Sequence, residues 1–139
     1  MRISELVTVI KLKKEDDIKS AFESGKIFKY EKSRNINYVF HNGEPMRYLT
    51  YLEFAPGKER GNHYHNKKEE YMIVLKGKLK AKYYLVDNPL ESLELVLEEG
   101  DIVNVKSRVA HVYLSDDGAN AIEFSPQILD YDDQIKVIF

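Results

Sequence analysis

From residue 46 onward the chain alternates apolar and polar residues in short runs separated by turn residues, the rhythm of closely spaced antiparallel strands. Residues 46–55 (MRYLTYLEFA) run up to Pro56-Gly57. Residues 71–86 (YMIVLKGKLKAKYYLV) are interrupted by Gly77, which predicts a hairpin there. Residues 93–97 (LELVL) lead to Gly100, followed by 101–105 (DIVNV), 110–115 (AHVYLS), the turn Asp116-Asp117-Gly118, and 120–125 (NAIEFS) before Pro126. Ahead of this region, residues 3–10 (ISELVTVI) are rich in β-branched types and read as a strand. Ile18, Ala21 and Phe22 then fall at i, i+3, i+4, with acidic residues before them and Gly25 after, which predicts a short amphipathic helix over about 14–24. Residues 26–45 carry a weak pattern whose one clear signal is the Asn42-Gly43 turn. The tail, 129–139 (LDYDDQIKVIF), starts acidic and ends apolar, so it is expected to pack, either on its own chain or on a partner subunit.

These elements predict an all-β sandwich or barrel preceded by a short N-terminal helix. The organisation expected is one domain over residues 1–139: an arm over 1–45, a barrel core over 46–125 and a tail over 126–139. A chain of 139 residues buries a core without staples. Composition narrows the partners. With 43% hydrophobic and 32% charged residues and a formal net charge of -2, nothing marks a nucleic-acid or anionic-membrane surface. There are no cysteines, which removes disulfides, thiolate metal sites and a cysteine nucleophile. The apolar run at the start is too short for a signal peptide and is broken by Glu5, and no stretch is long enough to span a bilayer, so the expectation is a cytoplasmic protein.

The candidate chemistry lies in the histidines. His63 and His65 are two apart, which on an extended strand puts both rings on one face and Tyr64 on the other. Glu70 opens the next strand, and His111 sits on a later one. Taken singly, an H-x-H pair is more often a surface or core feature, Glu70 a solvated edge carboxylate and His111 a core histidine. Together, three imidazoles and one carboxylate suit one divalent transition metal, zinc, iron, manganese, nickel or cobalt, and do not suit the all-oxygen shells of calcium or magnesium. Arg60, just ahead of the histidine strand, is a candidate for pairing with a phosphate or carboxylate of a ligand, or a rim arginine. Tyr113 shares the face of His111 and either donates a proton or lines the interior. Met72 and Val74 keep register with Glu70 as lining. Lys76, Lys78, Lys80 and Lys82 read as a solvated face that discourages edge pairing, and His41 as a loop histidine.

Residues 57–77, GKERGNHYHNKKEEYMIVLKG, resemble the first cupin motif at each defined position: Gly57, His63, His65, Glu70 and Gly77. Residues 100–115, GDIVNVKSRVAHVYLS, resemble the second in part. Gly100 and His111 match, while Lys106 stands for the proline, Arg108 for the glycine and Ser115 for the asparagine. The resemblance covers roughly residues 46–125. It implies the cupin fold, a double-stranded β-helix or jelly-roll-like barrel, with His63, His65, Glu70 and His111 binding a metal inside it. A narrower resemblance starts at Pro56: the run R-G-N-H-Y-H is similar to that of cupins acting on nucleotide sugars, among them the C-terminal domain of capsular-polysaccharide epimerase/reductases and the nucleotide-linked 3,4-ketoisomerases. The ketoisomerases generally lack the glutamate, so Glu70 favours the metal-bearing kind.

The resemblance implies an isomerase or epimerase acting on a sugar or nucleotide sugar, with Arg60 and Tyr113 as its candidate catalytic residues. The alternatives are a non-catalytic small-molecule-binding cupin and an Fe(II)-dependent dioxygenase. A homodimer is also implied, with the 3–10 strand and the KVIF tail as the segments expected to take part.

Overall fold

A computed structural model describes residues 1–12 and 28–139 of the chain. The helix expected over 14–24 lies outside these residues. Where a strand was expected from residue 3, the N-terminus begins instead with a 3₁₀ turn, Ile3–Glu5, and the strand starts at Val7. The cause is local. The Glu5 carboxylate accepts from the Arg2 N–H (3.3 Å), the Leu6 N–H closes on the Ile3 carbonyl (2.9 Å), and the turn drops Ile3 into the core.

Eleven strands are described: β1 (Val7–Lys11), β2 (Phe28–Lys32), β3 (Asn35–Val39), β4 (Tyr48–Phe54), β5 (Glu59–His65), β6 (Glu70–Leu85), β7 (Asn88–Glu98), β8 (Asp101–Val105), β9 (Val109–Leu114), β10 (Ala119–Ser125) and β11 (Gln134–Lys136). β2 and β3 form a separate hairpin that the sequence pattern did not reveal. Its two turn residues, Ser33 and Arg34, both have positive φ (51° and 66°), the conformation of a tight hairpin turn usually marked by Asn-Gly. The other nine strands make two antiparallel layers. One runs β4-β10-β6-β8-β1 and the other β7-β6-β9-β5-β11. This is the all-β sandwich that the strand pattern predicted, in the jelly-roll-like arrangement that the cupin resemblance implied.

β6 belongs to both layers. Its first half lies between β8 and β10 and its second half between β7 and β9, so the hairpin expected at Gly77 is in fact one uninterrupted strand. Gly77 carries the change of layer. Its φ is +86°, and a Cβ there would lie 2.5 Å from the Gly118 carbonyl oxygen. Only glycine accepts both the conformation and the contact.

Between the layers the inward residues of each strand form the core, with Leu52, Phe54, Val74, Leu79, Tyr83 and Val103 among them. Met72 and Val74 line it as expected, while Lys76, Lys78, Lys80 and Lys82 are exposed. The outer face of the first layer is apolar too. Ile10, Ile102, Ile73 and Ile122 stand in one cross-strand row, and Phe40 and Leu12 pack on them. This explains why β8 and the start of β6 read as nearly continuous hydrophobic runs. The tail packs on its own chain: β11 pairs with β5, and the Phe139 ring lies 4.9 Å from that of Tyr84. No described helix is long and apolar enough to cross a membrane.

Candidate metal centre

β5 and β9 are adjacent, and their pairing sets His63 opposite His111. The register is interrupted between Gly61 and His63, with Asn62 in the left-handed region (φ 58°). Gly61 lets the strands close: a Cβ there would lie 2.6 Å from the His111 carbonyl oxygen. The bulge aims His63 and His65 to the same side, with ring centroids 5.0 Å apart, and His63 lies 4.6 Å from His111. Glu70, the first residue of β6, enters from the other layer. Its carboxylate lies 2.9 Å from His65 Nε2 and 3.3 Å from His111 Nε2. His65, Glu70 and His111 are 4%, 6% and 3% exposed. One ligand atom from each of the four residues lies within 4.8 Å of all the others.

The arrival of His111 depends on the turn where the second motif departs from its pattern. Arg108, in the glycine position, adopts the glycine conformation (φ 63°). Its N–H donates to the His65 carbonyl (2.7 Å), and its guanidinium donates to both oxygens of Asp87 and to Asn66 Oδ1. Lys106 pairs with Glu69 at 2.8 Å, and the Ser115 carbonyl accepts from the Gly57 N–H at 2.8 Å. Three replaced motif residues therefore leave the turn in place.

These residues fit a divalent transition metal. Metal–ligand bonds of about 2.1 Å hold ligand atoms about 3.4 Å apart at a tetrahedral centre and about 4.2 Å apart when trans, so the set closes on a metal with a shift between roughly half an ångström and one and a half. Both ring nitrogens of His65 are buried without a hydrogen-bond partner, because the short approach to Glu70 lacks hydrogen-bond alignment. A buried imidazole left so is costly unless a ligand takes its lone pair. The supporting contacts agree. His111 Nδ1 donates to the Val109 carbonyl (3.1 Å), which leaves Nε2 facing the centre; the Gln134 amide lies 3.1 Å from Nδ1 of His63, and with its oxygen turned to that nitrogen it accepts the ring N–H and leaves Nε2 of His63 free as well. Asp133 stands behind His65, 3.9 Å from its Nδ1, and accepts from the backbone N–H groups of Asn66, Lys67 and Lys68. Burial and the neighbouring His111 push His63 down to about 4, so its ring is neutral near pH 7. Burial likewise lowers His111. Burial alone would raise Glu70, but His111, His65 and Lys68 outweigh it and hold the carboxyl below its usual range. Neutral imidazoles beside an ionised carboxylate are the protonation states that bind metal.

The centre opens into a cavity of about 360 Å³. Arg60 lines it from β5 and is exposed, its guanidinium 5.8 Å from the Phe54 ring. Tyr113 lines the inner wall, buried, with its hydroxyl 3.2 Å from that of Tyr83. Burial pushes the acid dissociation of both phenols up, so Tyr113 stays protonated. Two residues of the wall went unnoticed in the sequence. Lys68 is 3% exposed; its ammonium lies over the Tyr48 ring (4.1 Å), 3.3 Å from Glu70 and 3.6 Å from Glu123. Glu123, on β10, is pushed up to about 7 by burial and by the charge of Glu70. Lys68 sits among charged loop residues and gives no sequence signal. Glu123 does give one, a carboxylate at an inward position of an otherwise apolar and small run.

A family model described as Cupin domain matches residues 50–124, more than half of the chain. A search of curated proteins found no match. Among solved structures, the chain is similar to WlaRA, the TDP-fucose-3,4-ketoisomerase of Campylobacter jejuni, with TM-score 0.67 and 14% identity, covering 93% of this chain and 87% of that one. It is similar to QdtA, a sugar 3,4-ketoisomerase of Thermoanaerobacterium thermosaccharolyticum solved with TDP, with TM-score 0.68 and 16% identity over 94% of this chain and 87% of that one. CapF, a capsular polysaccharide assembling protein of Staphylococcus aureus, matches with TM-score 0.61 and 19% identity over 81% of this chain and 34% of its own length. At these identities the likeness is one of fold.

Proposed function

The chain belongs to the cupin domain family, and from that premise we propose that it is a metal-dependent isomerase or epimerase acting on a keto-sugar, carried as a nucleotide sugar. The observation that carries the reading is the meeting of His63, His65, Glu70 and His111 at the floor of a cavity whose wall also holds groups able to bind anions and move protons. The similarity in fold to sugar 3,4-ketoisomerases supports the substrate class.

A bound divalent metal supplies a positive centre that polarises a carbonyl oxygen and acidifies the neighbouring C–H. The chain supplies the rest. A cavity of about 360 Å³ takes the sugar end of such a molecule, and the nucleotide lies across the mouth. Arg60, exposed at that mouth, offers its planar fork to a phosphate. Tyr113 stays protonated and offers an O–H to a sugar oxygen, its orientation set by Tyr83. Because Lys68, Glu123 and Tyr113 share the cavity with the four candidate ligands, the site holds titratable groups that passive ligand capture does not need.

The test is solvent exchange. Protein loaded in turn with zinc, manganese, cobalt, nickel or anaerobic iron(II) is incubated in D₂O with TDP-4-keto-6-deoxyglucose and related nucleotide keto-sugars. Deuterium gained at carbon next to the carbonyl is the expected result. Neither binding nor exchange with any of them removes the proposal.

A further inference from the structure

We propose that Glu123 is the acid–base residue of this site, taking the proton from the carbon beside the substrate carbonyl and returning it, with Lys68 as the residue that positions it. This rests on the isomerase or epimerase reading above.

The other charged groups in the cavity, and Tyr113, are committed elsewhere. His63, His65, Glu70 and His111 form the candidate ligand set. Tyr113 is tied to Tyr83 in the core. Arg60 carries only N–H donors and has no acceptor atom for a proton. The Lys68 ammonium is enclosed by two carboxylates and the Tyr48 ring. Glu123 is the carboxylate left over. β10 presents Ala121 and Ser125 to the interior on either side of it, both fully buried, so an acid between them is a placement that the packing of the strand does not call for. Burial is the chief reason that Glu123 holds a proton; the charge of Glu70 adds to it, and Lys68 and Arg60 oppose it. The charged groups facing Glu123 are Lys68, Glu70 on β6 and Arg60 on β5; its cross-strand partner on β4 is Thr50, which is uncharged. A carboxyl whose affinity for protons is balanced near neutrality is matched to this work.

The step balances within the substrate. The C–H bond breaks as an O–H bond forms on the Glu123 carboxylate, and the bonding pair passes to the carbonyl oxygen as an enolate. Delivery of a proton from water to the opposite face of that carbon, with the Glu123 proton released to solvent, gives an epimer. Return to the former carbonyl carbon, with a hydroxyl proton moving between the two oxygens, gives the isomeric ketose. No oxidant or reductant is consumed.

Wild type, E123Q and E123D are compared in D₂O, with bound metal measured on each and rates expressed per metal-bearing folded protein. The expected result is full metal occupancy in all three, exchange reduced about 100-fold or more in E123Q, and partial activity in E123D. The wild-type rate should rise with pH through a single ionisation, and this limb should be missing from the residual rate of E123Q. If E123Q does not fold, E123D carries the test through a displaced limb in its pH profile. Exchange by E123Q at the wild-type rate, or an undisplaced limb in E123D, overturns the assignment and marks Glu123 as a counter-ion of Lys68. A wild-type enzyme without exchange overturns the functional reading, and this inference with it.

Discussion

Arg108 holds a backbone conformation in which a side chain is ordinarily disfavoured, and it does so with a bidentate pair to Asp87 and a bond to Asn66. Those bonds are exposed and contribute little, whereas the left-handed conformation costs a non-glycine residue about 1–2 kcal/mol. Arg108→Gly is therefore expected to leave stability unchanged or raise it slightly, while Arg108→Val lowers it by about 2 kcal/mol or more, read by urea unfolding. Gln134 makes the contact behind His63, and Gln134→Ala is expected to weaken metal binding about 10-fold in competition with a chelator. For Glu123 the sign of the pH effect follows from its raised proton affinity. The folded state keeps this proton up to about 7, while the unfolded chain releases it near 4.5. The contribution is complete below pH 4.5 and is lost as pH rises through 7. In the metal-free protein, the stability of E123Q relative to wild type should accordingly climb across that interval and level off above it.

Strands with strong alternation and glycine or proline at their ends were legible along the chain, and β4, β8, β9 and β10 lie close to where the pattern puts them. The failures have separate physical causes. Gly77 carries the same signal whether a chain reverses there or passes between two layers, because both need positive φ; the contact with Gly118 decides, and that is a long-range fact. Ser33-Arg34 turns without a turn-forming residue. The four candidate ligands were readable because their spacing carries the cupin pattern. Lys68, Asp133 and Gln134 were not, because each reaches the centre through a contact remote in sequence or buried by other strands. The two glycines that bound the first motif should behave differently. A Cβ on Gly57 meets nothing within 4 Å, so Gly57→Ala bears only its conformational term of about 1 kcal/mol. Gly77→Ala adds a clash with backbone and should lower stability by well over 2 kcal/mol, with the melting temperature falling accordingly.

At the scale of the whole molecule, the N-terminal strand is a working part of the barrel. β1 pairs along β8, and Ile3 and Val7 enter the main core. Burial of two such side chains stabilises by about 3–6 kcal/mol, an amount comparable with the net stability of a small protein. Removal of residues 1–12 is thus expected to leave a chain without a cooperative thermal transition.

β6 adds a last consequence. Since a single ribbon of backbone serves as the middle of both layers, neither layer has a boundary along which it could melt while the other stays intact. Glu70 sits at one end of that ribbon and the lysine-rich half at the other. A cation gripped at the first end should therefore slow amide exchange in residues 78–85 as strongly as beside the histidines, and chelation should loosen the far end just as readily.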